Sequence, residues 1–283
     1  MPNALRLRLP EVVVLNKRLG RHIGHDPASL RFLVEEAAPA VTSWERITPI
    51  LNQGDLGSCT GNAAVGVLGS TVCFEALDQA QRTALGEDLA VRVYTLATTL
   101  DGFPGQMPQQ DTGSDGNSAA KATRNLGYSS GWKHATSLGG MHRLIQAGPF
   151  MVGTNWLSDM DQPNAEGVVR ATGVVRGGHE YEVLNYTSAG LWECVNSWSD
   201  SWGKGGHFFL PDEDMAVLLA DQGDATALVP LSAPAPTPIP PPGPEVNAFP
   251  AAQWEAFRAD FTKLLGSGQE LVQAMDTWLL RTP

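Results

Sequence analysis

Three cysteines in 283 residues are too few for a disulfide framework. Cys59, Cys73 and Cys194 therefore read as thiols of a chain that folds without bridges, although a Cys73–Cys194 pair stays open. No apolar run approaches the ~18 residues that a membrane span needs. The N-terminal stretch carries charge within EVVVLNKR and has no long apolar segment of the secretory kind. The expectation is a protein made in the cytoplasm without a signal peptide and without a membrane partner. Basic residues are scarce as well, 19 against 30 acidic ones, for a formal charge of −11. Phosphate neutralisation needs clustered Lys and Arg, so a nucleic-acid partner is excluded. The basic residues that exist crowd the start (Arg6, Arg8, Lys17, Arg18, Arg21, Arg31), which reads as an arm packed on an acidic body.

Metal and phosphate signatures are also missing. HIGHD (22–26) offers two histidines but no third or fourth ligand at useful spacing. DTGSDG (111–116) lacks the alternating acids and terminal Glu of a calcium loop and is better read as a loop feeding a helix. The glycines at 203–206 lack the spacing of a phosphate loop. No cofactor and no metal are expected.

What is present is enough apolar residue, 42%, to bury a core, and a clear division of the chain. Residues 1–48 form an arm, with a short inhibitory role as the alternative to simple wrapping. Residues 49–230 form the candidate catalytic domain. The proline-rich run LSAPAPTPIPPPGP opens a linker over 231–249 that reads as a semi-rigid spacer. Residues 250–283 place Trp254, Phe257, Phe261 and Leu264 on one helical face, and Leu271, Met275 and Trp278 on a second. Helices this short cannot bury such faces alone. They dock back on the core, on a second copy or on another protein. Within the domain, TGNAAVGVLGSTVCFEALDQA has helical spacing and puts Cys59 at a helix N-terminus. Residues 118–127 read as a further helix stopped by Gly127. The segments 148–156, 180–186 and 191–198 read as strands.

Four groups suited to thiol-based amide hydrolysis stand in order: Gln53 and Cys59 in QGDLGSCTGNA, His179 in GGHEYEVLNY, and Asn196 in CVNSWSDSWGKGG. The last string resembles the N-S-W-G-x-x-W-G-x-x-G run of papain-like cysteine peptidases. Asn196, Ser197, Trp198, Trp202, Gly203 and Gly206 stand at its spacings, and Ser199 stands where that run has its first glycine. The resemblance covers roughly residues 49–212 and suggests a compact bacterial or phage-type member. It implies an α+β, two-lobed fold with a helical lobe facing a β-rich lobe across a cleft. It also implies a Cys59 thiolate favoured by the helix N-terminus and by a His179 imidazolium. Asn196 would orient the imidazole, Gln53 would donate to the oxyanion, and Trp198 would shield the Asn–His bond. Gly178, Glu180 and Trp198 would line the substrate site.

There are departures from the pattern. The Cys-to-His gap of 120 residues is shorter than the family's ~130–150, and Leu56 stands where many relatives have a bridged cysteine. Glu180 and Glu182 fall on one side of a strand, opposite His179. Glu180 either lines a pocket that favours basic residues just before the scissile residue, or the strand is an edge and both carboxylates are solvated. The solvated reading is preferred here. The substrate is a peptide or protein, either a cell-wall cross-bridge, with the tail anchoring the chain to a virion-like particle, or a protein partner. The alternatives are a non-catalytic papain-fold module of a larger assembly and a transferase using the same thioester.

Overall fold

The computed structural model describes residues 18–24 and 27–231. The expected tail helices and nearly all of the linker lie outside the described residues. The first half is helical: α1 (Cys59–Leu68), α2 (Thr71–Ala76), α3 (Gln79–Thr83), α4 (Glu87–Leu100) and α5 (Gly116–Asn125). The second half supplies most of a six-stranded sheet: β1 (Gly131–Ala135), α6 (Leu138–Ala147), β2 (Phe150–Leu157), β3 (Val175–Tyr186), β4 (Leu191–Val195), β5 (His207–Pro211), α7 (Asp212–Ala220) and β6 (Asp224–Val229). Its order is β1-β6-β2-β3-β4-β5, and every neighbouring pair is antiparallel.

Each half has its own apolar cluster. Val65, Leu68, Leu89, Val93 and Ala97 pack among the helices, whereas Phe150, Trp156, Tyr181, Trp192 and Phe208 pack on the sheet. All ten residues of α1 are buried, as expected of a helix without a polar face. Its small residues permit this: a Cβ on Gly61 would overlap the Ala90 carbonyl oxygen of α4. The long helical pattern after Cys59 is broken at Gly69-Ser70, where Ser70 is extended and opens α2.

The loop reading of 111–116 holds. The Asp115 side chain accepts from the Ser118 N–H at 2.8 Å and caps α5. Gly127 ends that helix at φ +80°. Helices α4, α6 and α7 were not anticipated; α4 and α7 have no side-chain cap, whereas Ser137 caps α6 by accepting from the Gly140 N–H at 3.1 Å. His22 of the HIGHD run hydrogen-bonds the Thr112 carbonyl and stacks on Phe103. All three cysteines are free and buried.

β3 is an interior strand, paired with β2 on one side and β4 on the other. This corrects the preferred reading of Glu180 and Glu182 as solvated on an edge, since each is 1% exposed. Glu182 is held by Arg46 and by the Ser70 hydroxyl. The segment before α1 runs over the sheet half: Val34 N–H donates to the His134 carbonyl at 3.1 Å, and Thr42 N–H to the Tyr186 carbonyl at 3.0 Å.

Candidate active site

Cys59 is the first residue of α1, and its thiol hydrogen-bonds the backbone of Glu180, the residue after His179 on β3. The fold therefore brings two residues 120 positions apart to the junction of helix and sheet. The His179 ring is clamped by aromatic faces. Trp198 stacks on it with centroids 5.0 Å apart, and Trp156 meets it edge-on at 5.1 Å. Trp156, from β2, was missed by the sequence reading; an apolar residue in a strand carries no signal of what it will touch.

Asn196 follows β4. Its Oδ1 accepts from the Ser197 N–H at 2.8 Å, which fixes the amide orientation. The same oxygen accepts from His179 Nε2 at 2.9 Å. The neutral ring thus carries its proton on Nε2, and Nδ1 is left without a hydrogen-bond partner. Gln53 is positioned by the strand-like meeting of 51–53 with 197–199. Its N–H donates to the Ser197 carbonyl at 2.9 Å, and Ser199 N–H donates to the Leu51 carbonyl at 3.0 Å. The Ser197 hydroxyl donates to Gln53 Oε1 at 2.7 Å, so the NH2 end must face the opposite way. Ser199 adopts φ +68°, the left-handed conformation that a glycine takes without strain.

The arm passes directly over these groups. Gln53 Nε2 donates to the Arg18 carbonyl and to the Leu56 carbonyl, both at 2.8 Å. Backbone hydrogen bonds from Glu180, Gly20 and Thr60 reach the Cys59 sulfur. Arg21 N–H donates to the Gly178 carbonyl at 2.9 Å, and Ser114 N–H donates to the Gly20 carbonyl at 2.8 Å. Glycines permit the approach: a Cβ on Gly20 would overlap the Gly57 carbonyl oxygen, and one on Gly178 would overlap that of Arg21. The arm thus places a carbonyl at the Gln53 amide and an N–H at the thiol.

Sealing the site decides its charge. Cys59 and His179 are both 0% exposed. Burial pushes the Cys59 thiol up to about 12 and the His179 imidazole down to about 4, against a smaller opposing effect of the Asn196 bond on the ring. In this arrangement the pair is neutral. Loss of hydration thus opposes the expected thiolate–imidazolium pair while the site is closed. A stability signature follows. Between about pH 6.5 and 4 the unfolded chain protonates His179 and the folded chain does not, so this residue's contribution falls as pH falls through that window. In chemical denaturation, His179→Gln should gain on the unaltered chain by up to about 1.4 kcal/mol per pH unit there. A difference that does not change with pH would show that the ring is hydrated.

No protein-family profile matches the chain, and no curated protein matches it. Solved structures do. Xylellain, a cysteine protease from Xylella fastidiosa, superposes with a TM-score of 0.55 at 15% identity, over 78% of this chain and 97% of that one. The digestive procathepsin L2 proteinase of Tenebrio molitor larval midgut gives 0.48 at 16%, over 78% and 81%. A recombinant stem bromelain precursor gives 0.46 at 14%, over 75% and 76%. The architecture is the α+β fold of papain-like cysteine proteases, a helical region set against an antiparallel sheet. At this identity the likeness to xylellain is one of fold.

Proposed function

We propose that the chain is a cysteine-type peptidase acting through Cys59, His179, Asn196 and Gln53. The observation that carries this reading is the state of the His179 ring. Asn196 engages Nε2 at 2.9 Å while Nδ1 remains without a hydrogen-bond partner in a buried site, and the next residue, Glu180, turns its backbone to the Cys59 thiol. A buried polar nitrogen without a partner costs free energy, and a general base needs one such open nitrogen to take a proton. With the arm displaced and water admitted, Nδ1 takes the thiol proton and the sulfur attacks a peptide carbonyl carbon. The developing oxyanion takes the place of the Arg18 carbonyl oxygen at Gln53 Nε2. His179 then protonates the leaving amine, and water drawn by the imidazole resolves the thioester. Trp198 and Trp156 keep the ring in plane. Gly178 supplies a backbone carbonyl to whatever strand lies in the cleft, as it does to Arg21.

The test is hydrolysis of an unstructured protein such as casein by the full chain carrying Gly20→Val, compared with Gly20→Val/Cys59→Ala. Cleavage only in the first is the expected outcome. No cleavage by either would favour the non-catalytic papain-fold module, and equal cleavage by both would show that Cys59 is not the nucleophile.

A further inference from the structure

One residue along the arm from the position facing the thiol, the side chain of Arg21 is fully buried, at 0% exposure. Its Nη2 donates to Asp224 Oδ1 at 2.5 Å and to the Gln222 carbonyl at 3.0 Å. Its Nε lies 4.0 Å from Glu180 Oε2. The space for this head is built by glycines on two elements. A Cβ on Gly153 of β2 would overlap the Glu180 carboxylate and press on Arg21 Nε, and one on Gly116 of α5 would overlap the other Glu180 oxygen.

Three carboxyl groups belong to this pocket: Glu180 at 1%, Asp224 at 5% and Asp115 at 6% exposure. Asp115 is engaged in capping α5, through the N–H and hydroxyl of Ser118. His134 Nδ1 lies 3.9 Å from Asp224 Oδ2. Burial, and next the Asp224 charge, push the Glu180 carboxyl well above its ordinary value even with Arg21 in place. The pocket is therefore short of positive charge when full. Emptied of Arg21 it would hold Asp224 and Glu180 in a site with little water, at a cost that only another cation removes.

We infer that this pocket selects a basic side chain, arginine ahead of lysine, on the substrate residue next to the scissile one. The inference rests on the peptidase reading above and names its substrate class. Arginine is favoured because a planar head of this length already fits the pocket: Asp224 and the Gln222 carbonyl both accept from Nη2, and Nε lies 4.0 Å from Glu180. Glu180, the residue after His179, ties the pocket to the site where a peptide bond would break.

The experiment uses the full chain carrying Gly20→Val/Arg21→Ala, so that the arm neither blocks the thiol nor fills the pocket. It is treated with peptidyl epoxides that differ at that one side chain: arginine, lysine, leucine, or citrulline as the neutral isostere of arginine. Labelling is read by intact mass and peptide mapping. The arginine probe should label Cys59 about 30-fold or more faster than the citrulline probe, and the ratio should fall toward one when Asp224→Asn is added. Equal rates for arginine and citrulline at Cys59, or a ratio that survives Asp224→Asn, would overturn the inference while leaving the peptidase reading intact. Labelling that does not prefer Cys59 over Cys73 and Cys194 with any probe sinks that reading, and the inference with it.

A second measurement needs no chemistry at the thiol. Ethylguanidinium should raise the thermal midpoint of the Arg21→Ala chain but not that of Arg21→Ala/Asp224→Asn, and ethylurea should raise neither. No rise with ethylguanidinium would overturn the pocket's cation preference directly.

Discussion

Gly20→Val should make Cys59 react with a small alkylating agent about a thousandfold faster at pH 7 than it does in the unaltered chain. The argument begins with a close approach. Gly20 lies so near the Gly57 carbonyl oxygen that a Cβ there would overlap it, and that neighbour is backbone just ahead of α1, which cannot give way cheaply. The branched side chain must lift the arm. The Arg18 carbonyl then leaves Gln53, the Gly20 hydrogen bond leaves the thiol, and water reaches a residue that is 0% exposed. With the thiol pushed up to about 12, the thiolate fraction at pH 7 is on the order of 10⁻⁵. A hydrated cysteine with a pKa near 8.5 has a few per cent, about a thousand times more. Pairing with His179 and the helix N-terminus would add to this. The rate is read by mass spectrometry on the intact chain, with Cys73 and Cys194, both buried, as internal references. An unchanged rate at Cys59, or equal acceleration at all three cysteines, would show that the arm does not control access to this thiol.

The second large effect concerns stability and lies two residues along β3 from Glu180, at Glu182. Arg46→Met should cost about 3–5 kcal/mol, because it leaves the Glu182 carboxylate at 1% exposure without its cation. The pair is well built. Arg46 Nη1 meets Glu182, its Nε donates to the Thr48 carbonyl at 3.1 Å, its Nη2 donates to the Pro49 carbonyl at 3.0 Å, and the Ser70 hydroxyl takes a share of Glu182. Arg46 belongs to the segment ahead of α1, so the pair also fastens that segment to the interior strand β3. The double variant Arg46→Met/Glu182→Met should recover most of the loss, since two apolar side chains replace two desolvated charges. Denaturant midpoints at fixed pH decide it. A single-variant loss under about 1 kcal/mol would mean that Glu182 is hydrated after all.

These two sites show where the sequence was informative and where it was not. The spacing of Asn196, Trp198, Trp202 and Gly206 behind His179 was legible because each residue type is tied to a local constraint: an amide beside its own turn, a ring stacked on a neighbour, glycines at positive φ such as Gly203 and Gly206. The start of α1 at Cys59 and the loop that feeds α5 were legible for the same reason, as helical spacing and turn residues act over a short range. Helix α4 was not, since Glu87 and Asp88 at its start follow a glycine without a side-chain cap.

The two glutamates mark the boundary most clearly. Period-two alternation placed Glu180 and Glu182 on one face of β3. Whether that face meets water depends on β2 and β4 on either side, and on Arg21 and Arg46, more than 130 residues away in sequence. The arm is the same case. Nothing local to residues 18–22 says that their backbone will close over a thiol. Which residues could do thiol chemistry, and in what order they stand, followed from residue type and short-range spacing alone. That the thiol is sealed and the carboxylates are buried beside Arg21 and Arg46 came from the folded chain. Hydration and charge pairing are set by what packs against a group, and that is a contact made across the chain.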